Sequence, residues 1–562
     1  MAHGITSRLI FDRELIFTRI KQTILAVILA AISVGAALVH TLYPWNYAIA
    51  TGILAIGGLL MLRTEIRRVR RSHHFMLFPP GRGTLGHRTM RDNERSASLW
   101  ELWTWRYKMW PGAIRYGRLL PEHRVFWFPR KLMIGGPRKD PRHVITIAGA
   151  QSGKGRGMLI PNLLLYRGSA VIIDPKGQLA AVTANARGHG SDRVKKFLGQ
   201  QVFILDPENI VKNQPVKASF NPMRDIHEDD PESIRHAKVI SEALIPPTGS
   251  DAQSEFFVKQ ARALLEATIL HVVTMEPEDC RHLVHVRTLL TIGDVEGFDV
   301  LQDEYAAQNE VCPVTGPIDA LIYLMTLNEA FRGEIQVVAN RLMAATSEQR
   351  ADILGELANN ISFIGTPGIR EILDGTAGPE FSIAQLREKP SSVYVCMSNT
   401  ALQRQERNLL RLMVELSAVV LERVKRKSGD WPVMIAMDEF YSLGYMKTID
   451  VGMGAFPGYG IMLWPVVQSL SQLKELYPKT WENMLLNCRA QQFFGQLDPE
   501  THRYLSQRLA GLYSPTELAN NVFASDDRRQ IVLFADRPAT LLKLALYDQT
   551  FSKSQYDKDP FL

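Results

Sequence analysis

The sequence predicts an α/β fold: a mostly parallel sheet with helices on both faces, an all-helical domain inserted into it, and an N-terminal transmembrane helical hairpin. Three observations predict this arrangement. Short apolar strands alternate with helical segments from residue 141 onward, which is typical of a parallel sheet. Residues 225–348 carry helical patterns without strand signals. Residues 24–42 and 45–62 are uncharged, and each run is about long enough to cross a bilayer.

Composition narrows the class of protein. A chain of 562 residues is long enough for about three or four domains. With 46% hydrophobic and 22% charged residues, it is globular, which excludes disordered, collagenous and coiled-coil classes. Its four cysteines are scattered without CxxC pairing. This pattern excludes a disulfide scaffold or a zinc ribbon and is typical of a reducing compartment.

Charge is distributed unevenly along the chain. Residues 1–139 contain 22 Lys/Arg and 7 Asp/Glu, whereas residues 140–562 contain 43 and 51. The pI of about 9.1 therefore belongs to the N-terminal quarter and does not indicate that the body of the chain binds nucleic acid. A basic flank suits a membrane surface as well as a phosphate backbone.

Residues 1–72 are predicted to be a membrane anchor. The two uncharged runs are separated by Tyr43 and Pro44, and basic residues flank the pair on both sides. By the positive-inside rule, both ends of the hairpin face the cytoplasm. A cleaved signal peptide and a buried helical hairpin in a soluble core are the alternatives. The second apolar run argues against the signal peptide, since it would remain after cleavage.

Residues 73–140 form a basic connector that is rich in aromatic side chains. Five of the nine tryptophans lie there. Such a stretch could bind nucleic acid or lipid headgroups, but we favour the interpretation that its rings pack the connector onto the rest of the protein.

Residues 141–224 are predicted to be the first part of a nucleotide-binding core. A buried strand at 144–148 is followed by a glycine-rich loop and an apolar helix, the context that a P-loop requires. The nucleotide-binding residues of this loop are predicted to be Gly149, Ala150, Gln151, Ser152, Gly153, Lys154, Gly155 and Arg156. Two residues depart from the GxxxxGK[ST] pattern: Ala148 replaces its first glycine, and Gly155 replaces the Ser/Thr whose hydroxyl ordinarily binds Mg²⁺.

Downstream strands end in polar residues that suit the same site. The strand at 170–174 ends in a carboxylate, the strand at 433–437 is followed by Asp438 and Glu439, and the strand at 461–467 is followed by Gln468. A fifth strand is predicted at 490–494. An apolar strand followed by an acidic pair is the Walker B arrangement. The alternative is that Asp438 caps the following turn and that Gln468 merely begins a helix.

Together these patterns predict a RecA-like P-loop ATPase core that binds ATP and Mg²⁺, with residues 349–562 as its second part and a short C-terminal end. Lys154 would contact the β- and γ-phosphates, and Asp438 would hold Mg²⁺ through water. Glu439 would activate the attacking water, and Gln468 would sense the γ-phosphate. Lys154, Glu439 and Gln468 are thus the predicted catalytic residues.

An all-helical insertion is predicted at 225–348, between the second strand of the core and the later ones. Its clearest helices are expected at 231–244 and 255–275, where apolar residues recur at helical spacing. Ordinary crossover helices are the alternative, but the length exceeds that of a single crossover. A further helical region at 409–426 leads into the Walker B strand.

In these residues the sequence resembles the TraG-type coupling proteins, the membrane-anchored ATPases of type IV secretion and conjugation systems. The resemblance follows the family's order along the core. The strings that carry it are SGKGRGMLIPNLL (152–164), VIIDPKGQL (171–179), FILDPEN (203–209), FNPM (220–223), MDEFYSLG (437–444), QSLSQLKELYP (468–478) and NCRAQQFFGQLDPETHRYLSQRLAG (487–511). Family members often carry glycine after the P-loop lysine, so Gly155 is consistent with an active site.

The resemblance implies a homohexamer at the cytoplasmic face of a bacterial inner membrane, held there by a multi-pass anchor in contact with lipid. It would receive a relaxase with its single-stranded DNA, or effector proteins, and use ATP to deliver them to the type IV secretion channel. The helical insertion would recruit these substrates. Two alternatives are a chromosome-segregation DNA pump and a nucleotide-binding receptor without hydrolysis. A ring ATPase also needs a trans-acting arginine, for which Arg370, Arg411 and Arg489 are unranked candidates.

Overall fold

A computed structural model describes residues 113–118, 133–137, 139–212, 217–247, 252–427, 429–524 and 528–562. The predicted hairpin at 24–42 and 45–62 and most of the connector at 73–140 lie outside these ranges. The two alternatives, a signal peptide and a hairpin buried in a soluble core, concern the same hairpin residues. Among the described residues, no helix combines the length and the hydropathy needed to cross a bilayer.

The described residues form an eleven-stranded sheet in the order β2-β1-β11-β10-β9-β3-β8-β7-β4-β6-β5. Seven strands, from β9 to β5 in this order, run parallel, and the other four extend one edge with antiparallel pairing. The strands are β1 (Arg115–Arg118), β2 (Met133–Gly135), β3 (His143–Ala148), β4 (Ala170–Asp174), β5 (Gln201–Leu205), β6 (Ser391–Cys396), β7 (Val433–Met437), β8 (Ile461–Val467), β9 (Cys488–Phe494), β10 (Arg529–Phe534) and β11 (Thr540–Lys543).

Burial on both faces explains why the central strands were visible in the sequence. Every residue of β3, β4, β7, β8 and β9 is buried, and strands covered by helices on both sides read as near-continuous apolar runs. β9 is the exception, since it also carries an arginine and two glutamines. These are the five predicted strands, and all five are confirmed. β6 was not predicted, because it begins with two serines. Ser392 is buried nonetheless and hydrogen-bonds to Gln200 at 2.7 Å, which removes the cost of burying its hydroxyl.

Helices cover the sheet and form the insertion. The P-loop is followed by one π-helical segment, Gly155–Leu159, and by α1 (Ile160–Leu163). The core and the insertion then contain α2 (Gln178–Arg187), α3 (Ser233–Leu244), α4 (Ala252–Met275), α5 (Leu283–Thr291), α6 (Val295–Ala307), α7 (Pro317–Leu327), α8 (Glu334–Ala344), α9 (Ser347–Ile361) and α10 (Pro367–Leu373). The rest of the core contains α11 (Gln385–Glu388), α12 (Asn399–Leu402), α13 (Arg407–Arg423), α14 (Lys447–Gly452), α15 (Leu470–Leu476), α16 (Trp481–Leu486), α17 (Pro499–Arg508), α18 (Pro515–Glu517) and α19 (Tyr547–Thr550).

The helical insertion lies one strand later than predicted. It follows β5, the third parallel strand along the chain, and precedes β6, so its placement after the second strand was wrong. The proposed limit at 348 also falls inside α9 (Ser347–Ile361). The helices therefore continue past that limit, because a capping box at Thr346 starts a new helix there. The 24-residue α4 is the centre of the insertion and contacts α3, α5, α8 and α9.

A buried arginine joins the P-loop helix to the sheet. Arg187, at the end of α2, is fully buried, and burial lowers the pKa of its guanidinium. The N–H groups of its guanidinium all have hydrogen-bond acceptors. They donate to the carbonyls of Leu163, Tyr166 and Gly168, at and after the end of α1, and to the side chains of Ser392 and Gln200. This one side chain therefore joins the end of α1 and the segment that follows it to the sheet.

Arg187→Met should destabilise the core strongly, because it leaves several buried acceptors unpaired, each costing about 1–3 kcal/mol. We expect a clear drop in the midpoint of thermal unfolding. Arg167→Met, at an exposed position nearby, is the matched control and should leave the midpoint unchanged. Equal midpoints for both variants would contradict the proposed role of Arg187.

Candidate nucleotide-binding site

Three adjacent parallel strands bring the predicted site residues together. β3 pairs with β8 and β8 pairs with β7, all in parallel. Their carboxyl ends therefore meet at one edge of the sheet, where ligands of open α/β sheets bind. The loop after β3, the acidic pair after β7 and Gln468 after β8 all leave the sheet at this edge. The strand that carries Gln468 lies beside the loop strand, as the sequence predicts.

The backbone of the loop requires its glycines. A Cβ atom at Gly149 would lie 1.9 Å from the carbonyl oxygen of Gln496, so no side chain fits there. Gln151 and Gly153 have left-handed φ angles of 55° and 87°, and successive turns of this kind make concave nests of N–H groups that bind anions. Ser152 donates a hydrogen bond to the carbonyl of Gly149 at 2.6 Å, which ties the loop across its base.

Lys154 lies between the two acidic residues. Its Nζ donates to Glu439 Oε1 and lies 3.4 Å from Asp438 Oδ1. Gln468 Nε2 donates to the other oxygen of Glu439 at 3.0 Å. The four side chains predicted from separate parts of the sequence therefore form one connected, largely buried cluster.

Burial and the neighbouring charges shift the pKa values of the ionisable members of the cluster. Burial raises the pKa of Asp438, even though Lys154 beside it acts in the opposite direction. Burial also opposes the ionised form of Glu439, but the ion pair and hydrogen bond with Lys154 hold the pKa of Glu439 below its ordinary value. Burial opposes the charge of Lys154 as well, yet the two carboxylates raise its pKa. The directions of these shifts therefore favour an ionised pair of Lys154 and Glu439.

The acidic pair does not cap the turn that follows it. Glu439 occupies the N-cap position of the turn Phe440–Leu443, and its side chain makes no capping hydrogen bond. Its backbone is left-handed, with φ 60° and ψ 46°, a strained conformation for a residue with a side chain. At the next strand Ser469, rather than Gln468, caps α15. Both site residues are therefore free of the alternative roles weighed in the sequence.

Asp438 fits a magnesium ligand. Its Oδ1 is buried and has no hydrogen-bond partner of good geometry, and the ammonium of Lys154 lies 3.4 Å away. Among the residues that the structure describes, no group of three or more His, Cys, Asp or Glu could hold a metal. One or two carboxylates completed by phosphates and waters are what Mg²⁺ ordinarily uses in nucleotide sites. Gly155 supplies no hydroxyl, and a Cβ there would lie 3.4 Å from Gln178 Oε1.

Two residues near the acidic pair were not predicted as site residues. Asp174 ends β4, and burial, together with the charge of Asp438, raises its pKa to about 7. Its carboxylate accepts a 2.8 Å hydrogen bond from the backbone N–H of Ala180. Lys176 lies close enough to lower the pKa values of Asp438 and Glu439. A strand ending in a carboxylate was the only signal for them in the sequence.

Arg156 contacts the end of the chain. Its guanidinium makes two hydrogen bonds to the carboxylate of Asp548 in α19. Close by, Leu544 covers Gly157, where a Cβ would lie 3.3 Å from its side chain. The C-terminal residues therefore pack on the helix that follows the P-loop, a contact that no local pattern in the sequence indicated.

The three candidate arginines occupy very different places. Arg370 in α10 is 63% exposed and lies 3.7 Å from Asp374. Arg411 and Arg489 are only 3% and 5% exposed. Arg489 begins β9, at the opposite edge of the sheet from the P-loop, and pairs there with Asp140 and Asp536. Of the three, Arg370 is the side chain available to a neighbouring molecule.

The order of the parallel strands and the glycine-rich loop at their carboxyl edge define a mixed α/β fold of the P-loop type. Comparison with known proteins then identifies the family. Residues 112–513 match the family described as "Type IV secretory system Conjugative DNA transfer", and the chain belongs to this family.

Relatives and solved structures agree with this assignment. Protein VirD4 of Agrobacterium fabrum is 27% identical over 391 residues, covering 68% of this chain and 51% of that protein. Conjugal transfer protein TraG of Escherichia coli is 25% identical over 410 residues, covering 70% and 59%. A solved structure of the plasmid coupling protein TrwB in complex with ADP and Mg²⁺ has a TM-score of 0.52 and 17% identity, covering 75% of this chain and 88% of that chain. The chain thus matches only about half the length of VirD4.

Two isosteric changes test the roles of the acidic pair. Glu439→Gln should retain ATP binding and lose hydrolysis by about 10²–10⁴-fold, because an amide cannot accept the proton of the attacking water. Asp438→Asn should instead weaken the Mg²⁺-dependent part of binding. Equilibrium nucleotide binding and steady-state hydrolysis, each with and without Mg²⁺, distinguish the two. An equal loss of nucleotide affinity in both variants would show that the roles are assigned wrongly.

Proposed function

We propose that the protein is an ATP-hydrolysing coupling protein of a type IV secretion system, which recruits substrates and drives their delivery into the secretion channel. The observation that supports this most directly is the cluster of Lys154, Asp438, Glu439 and Gln468 in a chain of the conjugative DNA-transfer family. The alternative of a chromosome-segregation pump is not favoured, because the family match is to conjugative DNA transfer.

The geometry supports a different role for each member of the cluster. The nest of N–H groups and Lys154 would bind the phosphates, and Asp438 would hold Mg²⁺, which when bound neutralises charge on phosphate oxygens. Glu439 would accept the proton of the attacking water, as the carboxylate that lies beside Lys154 and Gln468. Gln468 holds the second oxygen of Glu439 and would orient that carboxylate toward the γ-phosphate. The relative TrwB was solved with ADP and Mg²⁺, which supports the same pair of ligands here.

A nucleotide-binding receptor that hydrolyses nothing is the second candidate. Gly155 favours it, because the loop lacks the hydroxyl that ordinarily completes the Mg²⁺ site. The carboxylate of Glu439, held beside Lys154 and Gln468, favours hydrolysis, since it is placed to accept the proton of an attacking water. Steady-state ATP hydrolysis by the assembled wild-type protein separates the two candidates.

We further propose that residues 1–72 anchor a homohexamer in the bacterial inner membrane through two spans. The uncharged runs at 24–42 and 45–62 and the basic residues around them support this proposal. The exposed Arg370 is the best placed of the three arginines to act on the nucleotide of a neighbouring subunit.

The charge of the helical insertion bears on the substrate. Residues 225–348 contain 22 Asp/Glu and 8 Lys/Arg, so the insertion repels a phosphate backbone and attracts a basic surface. Its exposed apolar side chains include Ile292, Val300 and Val311, which could add apolar contacts. We therefore propose that the insertion recruits a basic protein surface, of a relaxase or an effector, and that single-stranded DNA enters only as the relaxase's cargo.

Lys154→Ala should abolish substrate transfer in cells, because the lysine contributes to both ground-state and transition-state binding of the phosphates. Transfer frequency is the measurement, together with the amount of protein in the membrane fraction, which should not change. Lys195→Ala, at an exposed position, is the matched control. Transfer at the wild-type rate by Lys154→Ala would refute the P-loop assignment.

Charge reversal on α6 tests recruitment. The double variant Asp299→Lys and Asp303→Lys replaces two exposed acidic residues and should weaken binding of the purified relaxase or effector by about tenfold or more at low salt, since exposed charges act within about 10 Å at 0.1 M salt. Reversal of the exposed Asp192 and Glu482 in the core changes the net charge equally and should leave binding intact. Equal effects of the two double variants would place recruitment outside the insertion.

A further inference from the structure

A buried ion pair lies behind the acidic pair of the site. Arg411 and Glu415 are one turn apart on α13, their charged groups lie 3.5 Å apart, and each side chain is only 3% exposed. α13 contacts β4 and β8 of the sheet on one side and α3 of the insertion on another. A guanidinium is buried at great cost unless its donors are satisfied, so the partners of Arg411 show what this arginine holds in place.

Those partners belong to two different parts of the protein. Nη1 of Arg411 donates to the carbonyls of Leu443 at 2.5 Å and Tyr445 at 2.9 Å. Leu443 is the last residue of the turn Phe440–Leu443, which follows Glu439, and Tyr445 lies two residues beyond that turn. Nε donates to the carbonyl of Ala243 at 3.3 Å, in the last turn of α3. One cation therefore connects the segment that carries Glu439 to the first helix of the insertion.

The segment after Glu439 is held from both sides. Gly444 has a φ of 73°, and a Cβ there would lie 3.4 Å from Nη1 of Arg411. On the other side, Phe440 stacks on Tyr477 with ring centroids 5.9 Å apart and planes 3° apart. The hydroxyl of Tyr477 accepts a hydrogen bond from the N–H of Met446 at 3.2 Å. Contacts made by the residues that follow Glu439 therefore hold its left-handed backbone conformation in place.

The end of α3 is held by the same group of side chains. A helix end leaves carbonyls without helical partners, and here three successive carbonyls are satisfied by side chains of other helices. Arg411 binds Ala243, Asn408 of α13 binds Leu244 at 2.9 Å, and Arg262 of α4 binds Ile245 at 2.7 Å. A cavity of about 520 Å³, lined by α3, α4 and α13 and by Tyr445, lies at this junction.

We propose that Arg411 is a positioning residue that couples the orientation of Glu439 to the position of the helical insertion, so that events at the ATP site and at the insertion influence each other. This inference rests on the proposed function as an ATPase. It also gives Arg411 a role other than that of a trans-acting finger. Its donors are engaged within its own chain, and its guanidinium is not available to a neighbouring subunit.

The first test is kinetic and uses the full-length protein. Arg411→Lys keeps the charge, but a single ammonium group cannot reach both Ala243 and the carbonyls of Leu443 and Tyr445. We expect kcat for ATP to fall by about 10- to 100-fold, because small misplacements of a catalytic group have effects of this size, while KM stays near the wild-type value, since the P-loop is untouched. Unchanged kcat, or a rise in KM without a loss of kcat, would overturn the proposal.

Gly444→Ala strains the same segment from the side of the turn and keeps the test informative if Arg411→Lys does not fold. Gly444 has a φ of 73° and a ψ of −173°, a conformation that alanine adopts only with strain, so kcat should fall as it does in Arg411→Lys. Gly375→Ala is the matched control, because Gly375 has a φ of 88° with no atom within 4 Å of the added Cβ. A similar loss of kcat in Gly375→Ala would mean that backbone strain alone is responsible.

The second test is hydrogen exchange upon addition of a non-hydrolysable ATP analogue with Mg²⁺. In the wild type, amides of the loop at 149–156 should become protected, and exchange at the end of α3 and in α4 should change. In Arg411→Lys the protection of the loop should remain and the response of α3 and α4 should disappear. A response of α3 and α4 that persists in the variant refutes the coupling, whereas absence of loop protection in the wild type refutes the proposed nucleotide site instead.

Discussion

The site depends on the pairing of one buried lysine with two carboxylates. Lys154, Asp438 and Glu439 come from two loops separated by more than 280 residues, and each would be costly to bury alone. Their mutual attraction is available only if β3, β8 and β7 are adjacent and parallel, so that the loops leave the sheet at the same edge. The order of the strands and the electrostatics of the site therefore depend on one another.

Holding this cluster in place requires support from the surrounding core. Glu439 adopts a left-handed backbone, and such strain persists only where the surrounding structure determines it. Tyr477 and Arg411 supply this support on two sides of the following segment. Since Arg411 also binds the end of α3, the element that fixes the catalytic carboxylate is also part of the boundary with the insertion.

Charges of opposite sign are concentrated in two different regions of the chain. The basic residues are concentrated before residue 140, whereas residues 225–348 are strongly acidic. An anionic partner such as a membrane surface is attracted to the first region and a basic protein to the second. The two regions of opposite charge are separate along the chain, and the candidate nucleotide-binding residues lie in neither of them.

The sequence by itself determined the elements that are defined locally. Apolar runs predicted β3, β4, β7 and β8, and the short segment AQQFF predicted β9. The glycines with Lys154, the acidic pair and Gln468 were recognised from patterns a few residues long. It did not reveal β5, whose strand is partly exposed, or β6, whose buried serines look polar. Arg187, Asp548 and Arg411 were likewise not assigned their roles. Each has at least one partner far away in the chain, at a separation of 205 residues for Arg187 and Ser392, 168 for Arg411 and Ala243, and 392 for Arg156 and Asp548. Only the tertiary structure decides such contacts, because the free energy of a buried charge depends on which distant groups the fold places beside it.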